Sequence, residues 1–296
     1  MSDSKEILAV GSIAFDSIHT PKGNRDKILG GSSTYFSVAA SRYSDISLIG
    51  VVGEDFTENE WKLFKDYNIN TDSIEICKGD TFSWGGKYND DYSKRDTLFT
   101  NLGVFEHFKP KISSVYHNPI LYLGNIQPEL QLDVISKVKN PYLIAADSMN
   151  LWIDLFPQDV IKLIKKVNIF LLNDEEARQL TGLSDLDEIA EQFLSYGPEI
   201  VIIKKGGDGA LLAYKNKKIN ISVVPDTEVF DPTGAGDSFA GGLLGYIAKY
   251  GLNNPVEAVI HGTVIASYTV SGFGLEKLCK INDIDFTNKL KQVSTK

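Results

Sequence analysis

The chain is poor in cysteine, has no surplus of basic residues and contains no apolar run long enough to cross a bilayer. Cys77 and Cys279 are its two cysteines in 296 residues, too few for a disulfide framework and at no metal-ligating spacing. The formal charge of −9, with no basic block to offset it, weighs against nonspecific binding to nucleic acid or to anionic membranes. The most apolar window, 238–250, is too short and too glycine-rich to span a membrane. Residues 1–6 show no basic region leading into an apolar core, so no secretory signal is visible. No internal repeat, low-complexity block or long linker stands out. The default that follows is a reduced, soluble, cytoplasmic protein, and 296 residues suit one α/β domain with an appendage.

Short apolar runs alternate with amphipathic stretches from end to end. Residues 7–10, 47–51, 121–123, 143–146, 169–172 and 200–203 read as buried strands. Residues 34–44, 58–67, 129–137, 159–166, 174–180 and 186–194 read as helices between them. Such alternation predicts an α/β fold with a mostly parallel sheet covered by helices on both faces. Two stretches break the pattern. Residues 12–29 and 74–105 mix β-branched and aromatic residues with polar ones around turn signals at Lys22-Gly23-Asn24 and Asn89-Asp90-Asp91. They are expected to form a small β-sheet lid inserted in a single domain over 1–296. A hairpin is expected at 210–214 and 219–223.

The chemistry concentrates in Asp231-Pro232-Thr233-Gly234-Ala235-Gly236-Asp237, which runs directly into the apolar stretch 238–248. A lone Gly or Asp at a helix start is ordinary capping. The complete run is far harder to reach by chance. Glycines at 234 and 236 let the backbone bring its N–H groups close to a ligand, and a helix N-terminus holds anions. A carboxylate beside such an anion site has a chemical use. It can take the proton of an attacking hydroxyl while the N–H groups hold a phosphate.

This run resembles the second signature of the ribokinase-like (PfkB) carbohydrate kinases, and the resemblance extends over essentially the full length. It implies a three-layer α/β/α, Rossmann-like fold with a β lid. It also implies an ATP- and Mg2+-dependent kinase acting on a hydroxyl of a sugar or sugar-like molecule. Carried over, Asp237 is the catalytic base, and Gly234, Ala235 and Gly236 form the anion hole. Asp231 and Thr233 match positions that in some members help bind a monovalent cation such as K+. Asn173 and Glu176 supply the family's Asn-x-x-Glu near magnesium and phosphates, although Asn and acids in a first helical turn also simply favour the macrodipole. Lys204, Gly206 and Gly209 match the strand-end Lys-x-Gly region against the nucleotide, where a plain β-turn is the blander alternative. His261 lies in the region that usually walls the adenine pocket, but fits a helix-packed histidine better.

On the acceptor side, Asp16 matches the residue that binds sugar hydroxyls, and Gly30 and Gly31 match the paired glycines at the lid hinge. The family's Asn a few residues later is missing; the chain reads Thr34-Tyr35-Phe36. Tyr35 is therefore a candidate to stack on an acceptor ring, with core packing as its alternative. Asn125 and Asn150, after two core strands, are further acceptor candidates because open α/β sheets bind ligands at the C-terminal ends of their strands. Phe82, Trp84 and Arg95 of the lid could also face the acceptor. The missing Asn leaves a nucleoside kinase of the same fold as the nearest rival. A nucleotide-sensing regulator without turnover is another. A dinucleotide-dependent oxidoreductase is disfavoured, since only Gly11 follows the first strand. The expected partner is a small-molecule sugar or nucleoside, and the resemblance allows a homodimer through the lid.

Overall fold

A computed structural model describes residues 4–113 and 115–296. The chain enters through β1 (Ile7–Val10), β2 (Ala14–Thr20), β3 (Gly23–Gly30), α1 (Ser32–Ala40) and β4 (Ile46–Val52). It continues with α2 (Glu58–Asp66), β5 (Ile69–Ile76), β6 (Ser83–Tyr88), β7 (Arg95–Asn101) and β8 (Ile120–Leu123). Then come α3 (Pro128–Lys137), β9 (Leu143–Asp147), α4 (Asn150–Leu155), α5 (Pro157–Ile164) and β10 (Ile169–Asn173). The remainder is α6 (Asp174–Thr181), α7 (Leu186–Tyr196), β11 (Ile200–Lys204), β12 (Ala210–Tyr214), β13 (Lys217–Ile221), α8 (Ala235–Tyr250), α9 (Pro255–Val270) and α10 (Asp283–Leu290).

Among the described residues, nine strands form one sheet in the order β13-β12-β11-β10-β9-β8-β1-β4-β5. Strands β11 through β5 in that order pair in parallel, and β12 and β13 add an antiparallel edge. The parallel strands are continuous apolar runs because both faces are covered. Ile7 and Ala9 enter one core, while Leu8 and Val10 enter the other. Ile169 and Leu171 divide from Phe170 and Leu172 in the same way. A second sheet of four strands, β3-β2-β6-β7, stands apart from the first. Residues 74–76, expected within the small sheet, belong instead to β5 and pair with Gly50, Val51 and Val52 of β4. Their β-branched residues suited either sheet, and the crossover through α2 carried them to the edge of the large one.

Helix starts follow local chemistry. Thr57 and Asn173 each form a reciprocal capping box, with Glu60 and Glu176 respectively. Helix α8 is different. It packs between α1 and α9 through its glycines: a Cβ at Gly241 would lie 2.4 Å from the Phe36 carbonyl oxygen, and one at Gly242 would lie 3.0 Å from the Gly262 Cα. The glycine content that ruled out a membrane span is therefore used for close backbone approach. Phe36 in turn stacks on Tyr122 of β8, with ring centroids 3.8 Å apart. Among the described residues no helix is long and apolar enough to cross a membrane. Gly241→Ala is expected to cost about 1–3 kcal/mol of stability through overpacking, read as a lower denaturant midpoint; an unchanged or higher midpoint contradicts this packing account.

Candidate active site

The parallel strands end on one edge of the sheet, and their ends supply the floor of a cleft of about 1420 Å³. Asp147 closes β9, Asn173 closes β10 and Lys204 closes β11, with Asn173 and Lys204 opposite each other in register. The N-terminus of α8 enters this floor from the side. Gly234 caps it in the left-handed region, φ 74°, with the Tyr35 ring directly beneath; a Cβ there would lie 2.4 Å from that ring. Both reasons require glycine.

Tyr35 is thus 1% exposed and supports the loop. It also lines the cleft beside Ser12, Asp16 and Gly31. Its own sequence position, opening a helix, favoured core packing. The loop also corrects the expected donor set. The Ala235 N–H is occupied by the Pro232 carbonyl at 3.2 Å and the Asp237 N–H faces its own carboxylate, whereas the N–H groups of Gly234 and Gly236 have no protein acceptor among the described residues. Asp231 is fully buried and accepts from the Thr233 and Gly274 amides at 2.9 and 3.0 Å. Both of its oxygens clamp backbone. Thr233 bonds the Tyr88 hydroxyl at 3.0 Å and so ties the small sheet to the loop.

At the end of β10, Glu176 and Asn173 satisfy each other's backbone amides at 2.8 and 2.7 Å. One carboxylate oxygen of Glu176 is spent on this cap. Gly206 and Gly209 line the cleft at a tight turn after β11, where Gly209 sits at φ 86° against the Ile221 carbonyl. Val224, Ala266 and Val270 form an apolar wall beyond it. His261 lies elsewhere: its Nδ1 meets the Tyr43 hydroxyl at 2.9 Å and its ring packs on Tyr246 and Phe286. It is a core histidine whose burial pushes its pKa down to about 4.

On the side of the small sheet, Asp16 lies on β2 and is 4% exposed. A Cβ at Gly30 would fall 1.9 Å from its Oδ2, so the carboxylate occupies the space that glycine leaves. Gly31 closes the turn at φ 91°. Asp16 is paired across the small sheet with Trp84, and Trp84 with Thr100, so the three share one face. The indole lies across Gly86, and the Arg95 guanidinium sits 5.0 Å from its ring centroid. Asn125 and Asn150 line the same cleft. The Asn125 amide receives the Trp152 indole N–H at 2.7 Å and donates to the Met149 sulfur at 2.8 Å, while Asn150 opens α4. A short helix after β9 was not expected; six residues carry too little periodicity to reveal it.

The site holds more carboxylates than cations. Burial pushes Asp16 up to about 7 against the pull of the Gly31 amide. Burial pushes Glu176 up to about 7 against the charge of Lys204. For Asp237, burial and then the charge of Asp147 have the same result, about 7. Among the described residues no three His, Cys, Asp or Glu side chains converge as a ready-made metal cage. Asp147, which the sequence reading passed over for its neighbour Asn150, is the one acid here with a close cationic partner: its Oδ2 meets Lys204 Nζ at 2.5 Å. A carboxyl raised above its unfolded value stabilises the folded state fully below about pH 4 and loses that contribution as pH rises through about 7. Asp16→Asn is therefore expected to gain melting temperature relative to the wild type between pH 5 and pH 8 in ligand-free protein. A pH-independent difference would contradict the raised Asp16 pKa.

The comparisons with known proteins agree with this architecture. The model of the pfkB family carbohydrate kinases matches residues 4–280. The cytidine kinase of Thermococcus kodakarensis is 24% identical over 263 residues, spanning 86% of this chain and 92% of that protein. The nucleoside kinase of Methanocaldococcus jannaschii is 23% identical over 288 residues, 92% of each chain. A crystal structure of Methanocaldococcus jannaschii nucleoside kinase matches with a TM-score of 0.79 at 22% identity, covering 98% of this chain and 99% of that one. Fructokinase of Vibrio cholerae, crystallised with fructose, ADP and calcium ion, has a TM-score of 0.80 at 18% identity, with 97% and 99% covered. These structural likenesses speak to the three-layer fold and its small sheet. With the family model matched over nearly its whole length, the chain belongs to the pfkB family of carbohydrate kinases.

Proposed function

We propose that the protein transfers the γ-phosphoryl group of ATP to a hydroxyl of a sugar or nucleoside, with Asp237 as general base. One observation carries the reading. Asp237 stands in the first turn of α8, partly open to the cleft, beside N–H groups that have no protein acceptor. The nucleotide wall and the small sheet line the same cleft on either side of it. The acceptor hydroxyl gives its proton to the Asp237 carboxylate as its oxygen bonds to the γ-phosphorus. The bond from that phosphorus to the bridging oxygen breaks, and ADP leaves. The helix N-terminus holds the charge that develops on the transferring group.

Mg2+ is usually held by one or two carboxylates together with substrate phosphates, which suits a site without an all-protein cage. Glu176, with one carboxylate oxygen free of its cap, is the residue that would hold it, and the ion would neutralise phosphate charge. The small sheet, tied to the loop through Tyr88 and Thr233, acts as the lid that excludes water from the transfer. Asp237→Asn is expected to lower kcat by ~10²–10⁴-fold, the scale of general-base loss, with MgADP affinity largely kept. In the wild type, kcat/KM for the acceptor should rise as pH passes through about 7, because the base must be ionised. Near-wild-type turnover of Asp237→Asn would overturn the assignment.

Within this class a nucleoside acceptor is favoured. Trp84 sits directly beside Asp16, so a sugar held by Asp16 would present an attached ring to the indole. Three relatives that each cover more than four-fifths of the chain are themselves named cytidine kinase or nucleoside kinase. Nucleosides should therefore surpass the corresponding free sugars in kcat/KM. Trp84→Ala should shrink that preference by ~5–100-fold, the range of base–aromatic stacking. A preference for free sugars, or one untouched by the substitution, would sink the nucleoside reading.

A further inference from the structure

Lys204 was expected to lie along the nucleotide, but its ammonium is next to the loop that opens α8. A Cβ built on Gly236 would lie 3.1 Å from Lys204 Nζ and 3.9 Å from its Cε. Gly236 is helical with ordinary φ, since it is absent from the positive-φ glycines. Its backbone would accept alanine, a better helix former by about 1 kcal/mol. A Cβ there would instead press on the Lys204 ammonium, which would have to shift by a few tenths of an ångström. Glycine at 236 leaves room for the Lys204 side chain to pass beneath the first turn of α8.

The ammonium is held there by Asp147. Oδ2 of Asp147 accepts from Nζ at 2.5 Å, and Oδ1 accepts from the Ser148 amide at 2.9 Å. The Asp147 side chain is 6% exposed and that of Lys204 18%, so the pair is nearly dry but the lysine end opens to the cleft. Burial alone would lower the Lys204 pKa. The charges of Asp147 and Glu176 outweigh it and keep the ammonium charged above its ordinary range. Lysine carries three N–H donors, and a protein partner is found for one of them among the described residues. A pair serving only the fold would bury its remaining donors against carbonyls. Here they are left where the Gly236 N–H also lacks an acceptor.

We propose that the Lys204 ammonium is a catalytic member of the phosphoryl-binding hole, stabilising charge on the transferring group, and that Asp147 is the residue that positions it. This inference rests on reading the start of α8 as the phosphoryl site. Lys204 adds a full positive charge to the backbone donors there, in a partly dry site where such charge acts strongly. Asp147 fixes the ammonium before substrate arrives, so no reorganisation is needed during transfer. Gly236 provides the clearance.

The test compares Lys204→Met, Asp147→Asn, Gly236→Ala and the double variant Lys204→Met/Asp147→Asn with the wild type. Both kcat and the MgADP dissociation constant are measured, with the nucleoside or sugar that the wild type turns over. Lys204→Met is expected to lower kcat by ~10²–10³-fold, the usual loss on removing one such donor, while MgADP binding changes by less than about 3-fold. Asp147→Asn and Gly236→Ala should each lower kcat by roughly tenfold when Lys204 is present, and by nothing further in a Lys204→Met background. The double variant buries no unpaired charge and carries the measurement if Lys204→Met alone fails to fold. Kcat within a few-fold of wild type in Lys204→Met or the double variant overturns the proposal. So does a loss that appears wholly as weaker MgADP binding, which would make Lys204 a plain nucleotide contact. Failure of the kinase reading is separable, because the wild type itself would then transfer phosphoryl to no sugar or nucleoside. Failure of this inference would leave Asp237→Asn inactive and Lys204→Met active.

Discussion

The close approach of α8 to α1 and α9 is the constraint on which the rest of the site depends. Glycines at 241 and 242 let the helix backbone sit against the Phe36 carbonyl and Gly262. That contact drives the N-terminus of α8 into the cleft at the C-terminal ends of β9, β10 and β11. Tyr35, on the same helix as Phe36, then fits beneath Gly234 and supports the turn. A bulkier α8 would be just as apolar, but its first turn would be displaced from Asp147, Lys204 and the small sheet. Here packing bears on chemistry, because the proposed anion site is a helix terminus and goes wherever the helix goes.

The electrostatics of the cleft run against stability. Asp16, Glu176 and Asp237 are each pushed up to about 7 by burial, with few cations nearby. A fold built only for stability would replace some of them with amides. Their presence suits the proposed site, which would receive cations and take a proton, and Lys204 and Asp147 form a preassembled ion pair in it. The small sheet adds the other half of the chamber. Its register places Asp16 beside Trp84, and Tyr88 reaches Thr233 in the loop. The acceptor side and the phosphoryl side are thereby linked by one hydroxyl pair.

Much of the architecture was legible because its signals are local. Continuous apolar runs such as 169–172 and 200–203 identify strands covered on both faces, and Thr57 or Asn173 followed by Glu three residues later identifies helix starts. Residues 74–76 were misread because β-branched residues beside polar ones suit either sheet, and only pairing with β4 separates the two. Tyr35 was ambiguous for a similar reason. An aromatic residue opening a helix can face a ligand or a loop, and its neighbour here, Gly234, is remote in sequence.

What the sequence alone determined is a glycine-bearing helix start with a carboxylate in its first turn, and strands ending in Asn173 and Lys204. These follow from backbone conformation and capping, which act over a few residues. What only the tertiary structure decided is which groups meet. Asp147 lies 57 residues from Lys204, and nothing local to either announces their pairing. The order of strands in the sheet brings them together, and burial turns that proximity into a dry ion pair beneath Gly236. The free donors of the loop were decided in the same way, since the Pro232 carbonyl closes on Ala235 and leaves the N–H groups of Gly234 and Gly236 without a protein acceptor among the described residues.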